Sequence, residues 1–216
     1  MKTEGEFFFP YKSIFITAKP GMGASTLALN IVAEHLRVGK KCIVFENPSL
    51  APSYYVRRMK MRQEGVKPRA IYPAVEEYGG MTAVGGLFCD VFKMLNMSRE
   101  SGADLVVYEA TFHPPILDEA VIYLADELRK MGKRFIFITK MKRKVCILSG
   151  KERNRPATSY HKRAMSRFDA VVIPCRKEYY GKNLEGEIRV YEKGCRRYKA
   201  HAVNFDFENQ RITKTP

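Results

Sequence analysis

The chain has 216 residues, 45% of them hydrophobic, and a formal net charge of +15. This size and apolar content predict one domain spanning residues 1–216 around a single core. No apolar run approaches the roughly 20 residues that a membrane-spanning helix needs, and the first residues lack the organisation of a secretion signal. We therefore expect a cytoplasmic protein without membrane contact, and the basic surplus favours a polyanionic partner, most often nucleic acid.

Cysteine and glutamine usage adds two further expectations. The five cysteines are scattered and include no Cys-x-x-Cys pair, which argues against a zinc site or a disulfide framework. Glutamine is scarce beside many Lys, Arg and Glu residues, a bias that favours a thermophilic source, whereas ten methionines argue against one.

Strands and helices alternate in the predicted order of elements. Ser13–Ala18 is predicted as a buried strand, and residues 25–38 as a helix, because apolar residues recur there at helical spacing. The elements predicted next are a strand at 41–46, a basic helix around 53–62, a loop at 78–86, a helix around 88–95, a strand at 104–109, a helix at 117–131 and a strand at 134–139. The basic residues expected on the exposed face of the second helix are Arg57, Arg58, Lys60 and Arg62.

Beyond residue 169 the pattern changes to three strands without intervening helices. We therefore predict an α/β fold whose mostly parallel sheet is covered by helices on both faces and is extended by antiparallel C-terminal strands.

Residues 13–32 have the outline of a phosphate-binding loop. Such a loop needs a strand, a glycine-rich turn whose amides hold phosphate, and a helix whose N-terminus faces the anion. Its usual form is G-x-x-x-x-G-K-[ST], in which the lysine contacts the β- and γ-phosphates and the hydroxyl ligates Mg²⁺. Here AKPGMGAS occupies residues 18–25, so Ala18 replaces the first glycine and Ala24 replaces the lysine.

Loss of the lysine is the more serious departure, because its charge typically contributes several kcal/mol at such sites. We expect hydrolysis to be slow or absent, and binding of ATP and Mg²⁺ stays a hypothesis. Lys19, five residues before Ala24, is a candidate substitute for the missing charge. The predicted cofactor-binding residues are Lys19, Gly21, Met22, Gly23, Ala24, Ser25 and Thr26.

This loop and four further segments resemble the RecA-like ATPases. AKPGMGASTLALNIV, at residues 18–32, is similar to the Walker A segment of DnaB-type replicative helicases and KaiC-type proteins. CIVFENPSLAPSYYVRRM (42–59) resembles their second strand and helix, SGADLVVYEA (101–110) their Walker B strand, and DELRKMGKRFIFITK (126–140) the next helix and strand. Residues 186–212 resemble the last strands of archaeal RecA-type recombinase paralogues and KaiC-type proteins. The resemblance covers nearly the whole chain and implies a RecA-like P-loop fold.

The resemblance also implies roles for individual residues. Glu46 matches the acid that polarises the attacking water, and Glu109 stands where the family usually has an aspartate that contacts Mg²⁺ through water. Glu46 and Glu109 are thus the predicted catalytic residues, and Ser25 and Glu109 the predicted Mg²⁺ ligands. Lys193 and Arg196 are the nearest matches, with a spacing that differs by one residue, to a pair that acts on the neighbouring subunit's nucleotide. Without nucleotide binding, the glycines would serve only a tight turn and the glutamates would be ordinary strand-end acids.

The largest excess of charge lies in residues 140–167, where ten basic residues and one acidic residue give a net +9 of the chain's +15. In RecA-like proteins the loop after this strand is the second DNA-binding loop, so the resemblance implies a nucleic-acid contact, with single-stranded DNA as the expected ligand. Lys and Arg would neutralise phosphates with little sequence preference. An acidic protein partner or a solvated basic loop is the alternative. The predicted nucleic-acid-binding residues are Lys140, Lys142, Arg143, Lys144, Lys151, Arg153 and Arg155.

Three functions fit these features. The leading hypothesis is a DNA-binding recombinase paralogue of recombination or repair, partnered by a RecA-family recombinase or by its own copies, in which nucleotide acts as a conformational ligand. The second is a non-catalytic adaptor that docks on another protein. The third is a partition-type (ParA- or MinD-like) ATPase, because the loop also resembles that family's deviant loop with Lys19 at its signature lysine. Against the third, Phe45 and Asn47 stand where paired aspartates are expected.

Overall fold

The structure is a computed structural model that describes residues 10–19, 21–46, 56, 58–60, 75–84, 90–110, 118–140, 163–176, 184–195 and 197–215. The strands in these ranges are β1 (Ser13–Ala18), β2 (Cys42–Phe45), β3 (Val75–Tyr78), β4 (Met81–Val84), β5 (Leu105–Ala110), β6 (Arg134–Lys140), β7 (Ala170–Arg176), β8 (Glu185–Glu192), β9 (Lys199–Asp206) and β10 (Arg211–Lys214). The longer helices are α1 (Ala24–Arg37), α2 (Val91–Glu100) and α3 (Asp118–Lys130). Residues 56, 58–60 and 163–165 are also helical.

The described strands form one sheet in the order β10-β9-β8-β7-β1-β6-β5-β2-β4-β3. The strands from β7 to β4 are parallel, whereas β8, β9 and β10 continue beyond β7 in antiparallel fashion. At the other edge, β3 is antiparallel to β4. The predicted α/β fold, with a mostly parallel sheet and antiparallel C-terminal strands, is confirmed. Because parallel strands end at one edge, the segments after β1, β2, β5 and β6 begin close together.

Apolar residues on both faces of the central strands explain why helices cover both faces. On one face α1 packs over a core that includes Ile16 and Val107. On the other face α2 and α3 pack over a core in which Phe15, Phe137 and Phe168 contact one another, with ring centroids 5.2 to 6.4 Å apart. Each such buried side chain contributes about 1.5–3 kcal/mol, so the strand ends that carry the site extend from a well-packed core.

The loop predicted at residues 78–86 is wrong over its first part, where β3 and β4 form a hairpin. Gly79 and Gly80 join the two strands with φ angles of 54° and 86°. Positive φ at both central residues is what a two-residue hairpin turn requires, and glycine adopts it at little cost.

Two other elements also depart from the sequence expectation. β10 was not predicted at all, and the helix predicted around 88–95 lies further along the chain, at Val91–Glu100. Asp90 sets its start, because the Asp90 carboxylate accepts a hydrogen bond of 2.9 Å from the amide of Lys93. None of the described helices is long and apolar enough to cross a membrane.

Candidate nucleotide-binding site

The glycine-rich loop joins the end of β1 to the start of α1. A hydrogen bond of 3.2 Å from the Met22 amide to the Lys19 carbonyl closes the turn. Gly21 and Gly23 have φ angles of 80° and 91°, and Gly23 is the N-cap of α1. The first helical amides have no intrahelical partner, and no acidic side chain lies in the first turn of α1. The helix therefore directs an unneutralised positive dipole end toward the loop, which suits an anion.

Ser25 and Glu109 are brought together by the strand order. The Ser25 hydroxyl donates a hydrogen bond of 2.7 Å to the Glu109 carboxylate. Glu109 belongs to β5, which is separated from β1 only by β6, and its residue is 2% exposed. A hydroxyl and a carboxylate are the hard oxygen ligands that Mg²⁺ prefers, usually together with phosphate oxygens and water.

Glu46 lies on the same side of the sheet as Glu109. It directly follows β2, its amide donates 2.8 Å to the Val84 carbonyl, and the residue is 1% exposed. Phe45 of β2 pairs with Tyr108 of β5, so the two glutamates follow paired residues. Since successive side chains alternate between faces, both glutamates lie on the face that α1 covers.

These oxygens alone do not form a complete cation site. Among the described residues, no group of three or more His, Cys, Asp or Glu side chains could hold a metal ion. Ser25 and Glu109 fit a Mg²⁺ ion that arrives with nucleotide phosphates, and such an ion would offset phosphate charge.

Lys19 lies toward β7. Burial raises the pKa of the Cys175 thiol on β7, and the charges of Arg189 and Lys19 oppose that rise. The ammonium group of Lys19 is therefore close enough to act on Cys175. Ala24, the first residue of α1, provides no cation at the lysine position.

Aromatic residues of the C-terminal strands pack on the loop, a contact that the sequence did not reveal. A Cβ atom added to Gly23 would lie 2.8 Å from the ring of Phe205 and 3.5 Å from that of Phe207. The Phe205 and Phe207 rings stack with centroids 5.7 Å apart, and the Arg176 guanidinium lies 4.7 Å from the centroid of Phe207. The antiparallel strands thus help to fix the conformation of the loop.

Arg58 is buried, so the expectation that it lies on an exposed helix face is wrong. The residue is 8% exposed, and its guanidinium donates hydrogen bonds to the Thr26 hydroxyl and to the side-chain carbonyl of Gln210. Thr26 is buried as well. The reason is tertiary, because Gln210 is 152 residues away along the chain.

The remaining predicted residues are only partly covered by the structure. Lys140 is the last residue of β6, and its backbone pairs with Ala18 at the end of β1. Lys193 is exposed, and its amide donates 2.8 Å to the Asp169 carbonyl beside the start of β7, at the edge of the sheet opposite the loop. The predicted residues outside the described ranges are Lys142, Arg143, Lys144, Lys151, Arg153, Arg155 and Arg196.

Comparison with known proteins identifies the fold. No protein-family model matches the chain, and no curated protein sequence does. The ATPase domain of a DnaB-like helicase is similar to it with a TM-score of 0.67 and 12% identity, over 94% of this chain and 84% of that chain. A DnaB-like replicative helicase, studied with its interactions with primase, is similar with a TM-score of 0.72 and 12% identity, over 94% of this chain.

The chain has a RecA-like ATPase fold. It spans 58% of the length of the DnaB-like replicative helicase. At this identity the likeness concerns the arrangement of strands and helices, and the chemistry must be argued from the residues at the loop.

Proposed function

We propose that this RecA-fold protein binds Mg²⁺-ATP at the loop between β1 and α1, hydrolyses it slowly or not at all, and binds single-stranded DNA through residues 140–167. In this proposal it is a recombinase paralogue of recombination or repair, and the nucleotide is a conformational ligand.

The hydrogen bond between Ser25 and Glu109 is the observation that carries the nucleotide part. Two oxygen ligands from distant parts of the chain meet beside a helix N-terminus whose first turn has no acidic residue. This combination suits a phosphate with its Mg²⁺ ion. A glycine turn that served only to reverse the chain would not need an acid at the end of β5.

Slow turnover follows from Ala24. Transition-state charge on the phosphoryl oxygens is normally balanced by a cation at that position, and Glu46 alone offers a base without that balance. A loop of this kind retains part of its ground-state affinity through backbone amides and metal.

The position of Lys140 supports a link between nucleotide and DNA. The segment with seven basic residues and one acidic residue at 141–162 begins directly after Lys140, whose backbone pairs with Ala18. At the far end, the amides of Arg163 and Ala164 donate to the Asp118 carboxylate at the start of α3. The basic segment therefore starts beside the loop that would hold the nucleotide.

The test is an anisotropy titration of labelled single-stranded DNA with the full chain, with and without Mg²⁺-ATP, over a salt series. Binding should weaken steeply as salt rises and strengthen when Mg²⁺-ATP is added. Direct calorimetric titration of Mg²⁺-ATP would establish the nucleotide part separately.

Absence of DNA binding at low salt would refute the DNA part of the proposal. In that case, ATP binding together with tight capture of a protein partner would favour the non-catalytic adaptor.

A further inference from the structure

A buried arginine contacts the first turn of the helix whose loop lacks the usual lysine. Arg58 donates from Nη2 to the Thr26 hydroxyl and from Nε to the Gln210 side chain. It comes from the segment after β2, 32 residues beyond Thr26 along the chain.

Thr26 lies where an anion at this loop would be held. It is the third residue of α1 and directly follows Ser25, and the first amide of the helix to bond to the loop is that of Leu27, which donates 2.8 Å to the Gly23 carbonyl. The amides before it face away from the body of the helix. A phosphate on these amides would lie within about one helical turn, roughly 5.4 Å, of the Thr26 hydroxyl.

We propose that Arg58 supplies the positive charge that a lysine at residue 24 supplies in the usual loop, and that this charge makes the site prefer nucleoside triphosphates over less charged nucleotides. This inference rests on the proposed nucleotide binding. Arginine suits the role because its planar guanidinium carries five N–H donors and stays charged when buried.

Two features distinguish this role from a purely structural tie. A neutral amide could bridge Thr26 and Gln210, whereas burying a full charge is costly unless something compensates it. The other candidate cation, Lys19, lies toward Cys175 of β7, so the two basic side chains approach the loop from different elements.

The test compares the wild type, Arg58→Met, Ala24→Lys and the double variant by calorimetric titration with Mg²⁺ and ATP, ADP or AMP. Arg58→Met should weaken ATP binding about ten-fold or more, since a charge-assisted contact is lost, weaken ADP binding less and leave AMP binding unchanged. Ala24→Lys should restore ATP affinity in the Arg58→Met background. Lys60→Met, two residues along the same segment, is the matched control and should bind all three nucleotides as the wild type does.

Gln210→Ala separates charge from packing, because it removes a partner of Arg58 and leaves the guanidinium in place. It should lower the melting temperature while the ratio of ATP to AMP affinity stays within about three-fold of the wild type. Equal losses for all three nucleotides in Arg58→Met, or no rescue by Ala24→Lys, would overturn the inference.

A second readout does not depend on the folding of the Arg58 variant. Ala24→Lys alone should raise ATP affinity by less than about three-fold, because a cation is already present, and a gain of ten-fold or more would overturn the inference. If the wild type and Ala24→Lys bind none of the nucleotides, the proposed function itself fails. If the wild type binds ATP and Arg58→Met binds it equally well, only the role of Arg58 fails.

Discussion

Ser25 and Glu109 are 84 residues apart in the chain, and their side chains meet because only β6 lies between β1 and β5. Ser25→Ala removes the hydroxyl and leaves the helix start intact, since alanine is a good helix former. We expect the variant to lose the Mg²⁺-dependent part of its ATP affinity, about ten-fold, in titrations with Mg²⁺ and with EDTA.

Ser101→Ala is the control for that experiment, because the Ser101 hydroxyl donates to the Ser98 carbonyl at the end of α2, away from the loop. It should leave ATP affinity unchanged. An unchanged Mg²⁺ dependence in Ser25→Ala would show that the hydroxyl does not serve the metal.

Ala24→Lys completes the usual loop at its most deviant position. We expect the rate of ATP hydrolysis to rise about 10²-fold or more, because the new ammonium balances transition-state charge. The effect should fall on kcat, measured by phosphate release. Val38→Lys, which adds the same charge at the exposed C-cap of α1, should leave the rate unchanged, and no gain in Ala24→Lys would mean that Glu46 and Glu109 do not form a working site.

Sequence reasoning located single residues well where the signal is local and failed where it is not. The glycines of the loop and the pair Ser25 and Glu109 follow from motif spacing, and the structure brings that pair together. Arg58 was placed on a solvent face because its neighbours are basic. Its partner Gln210 lies in a turn that no local pattern connects to it.

Among the elements, the contact between α1's cap and β9 controls the shape of the loop. Gly23→Ala would force a side chain into a positive φ and against the Phe205 ring. We expect a loss in unfolding free energy of about 2 kcal/mol or more, measured by urea denaturation.

Gly39→Ala isolates the backbone part of that loss. Gly39 also has a positive φ, of 75°, but nothing lies within 4 Å of an added Cβ, so the cost should be about 1 kcal/mol. A similar loss in both variants would show that Phe205 yields without cost.

The last turn of α1 carries a histidine that makes stability depend on pH. His35 is 1% exposed, and burial, followed by the charges of Arg134 and Lys40, lowers the pKa of His35 to about 4. The unfolded chain, with a histidine pKa near 6.5, therefore binds the proton more readily than the folded chain. The contribution is complete above pH 6.5, is lost as the pH falls toward 4, and amounts to about 3 kcal/mol.

Urea denaturation of the wild type and of His35→Gln between pH 7 and pH 4 would measure this contribution as the difference in slope. His201→Gln is the control, since burial lowers the pKa of His201 as well but that residue is partly exposed. Parallel curves for wild type and His35→Gln would contradict the prediction.

Element prediction succeeded where apolar runs were unambiguous and failed at glycine. Ser13–Ala18 has the predicted bounds, because an apolar run before a glycine turn has few alternatives. The glycines of the β3–β4 turn indicated a loop, although they support a two-residue turn between paired strands. β10 has one buried residue in four, Ile212, which is too little pattern to detect.

For the whole molecule, the uneven distribution of charge sets the expected response to salt. Replacing Lys142, Arg143 and Lys144 together by alanine should reduce the slope of log affinity for single-stranded DNA against log salt by about 2, since each phosphate contact contributes about 0.7. Anisotropy at several salt concentrations measures that slope. The control replaces three basic residues elsewhere, Lys12, Lys93 and Arg99, and should leave the slope unchanged; equal effects would mean that only net charge matters.

One consequence of the sheet's length concerns how the protein is handled. Adjacent strands rotate by about 20–25°, so ten strands turn through roughly half a circle, and the last strand comes back to α1. Asn30 of α1 donates to the Gln210 carbonyl and accepts from the Ile212 amide. The amides of α1 should therefore exchange with deuterium only when β10 detaches, and a tag or a truncation near residue 212 would alter the environment of the glycine loop almost 190 residues earlier in the chain.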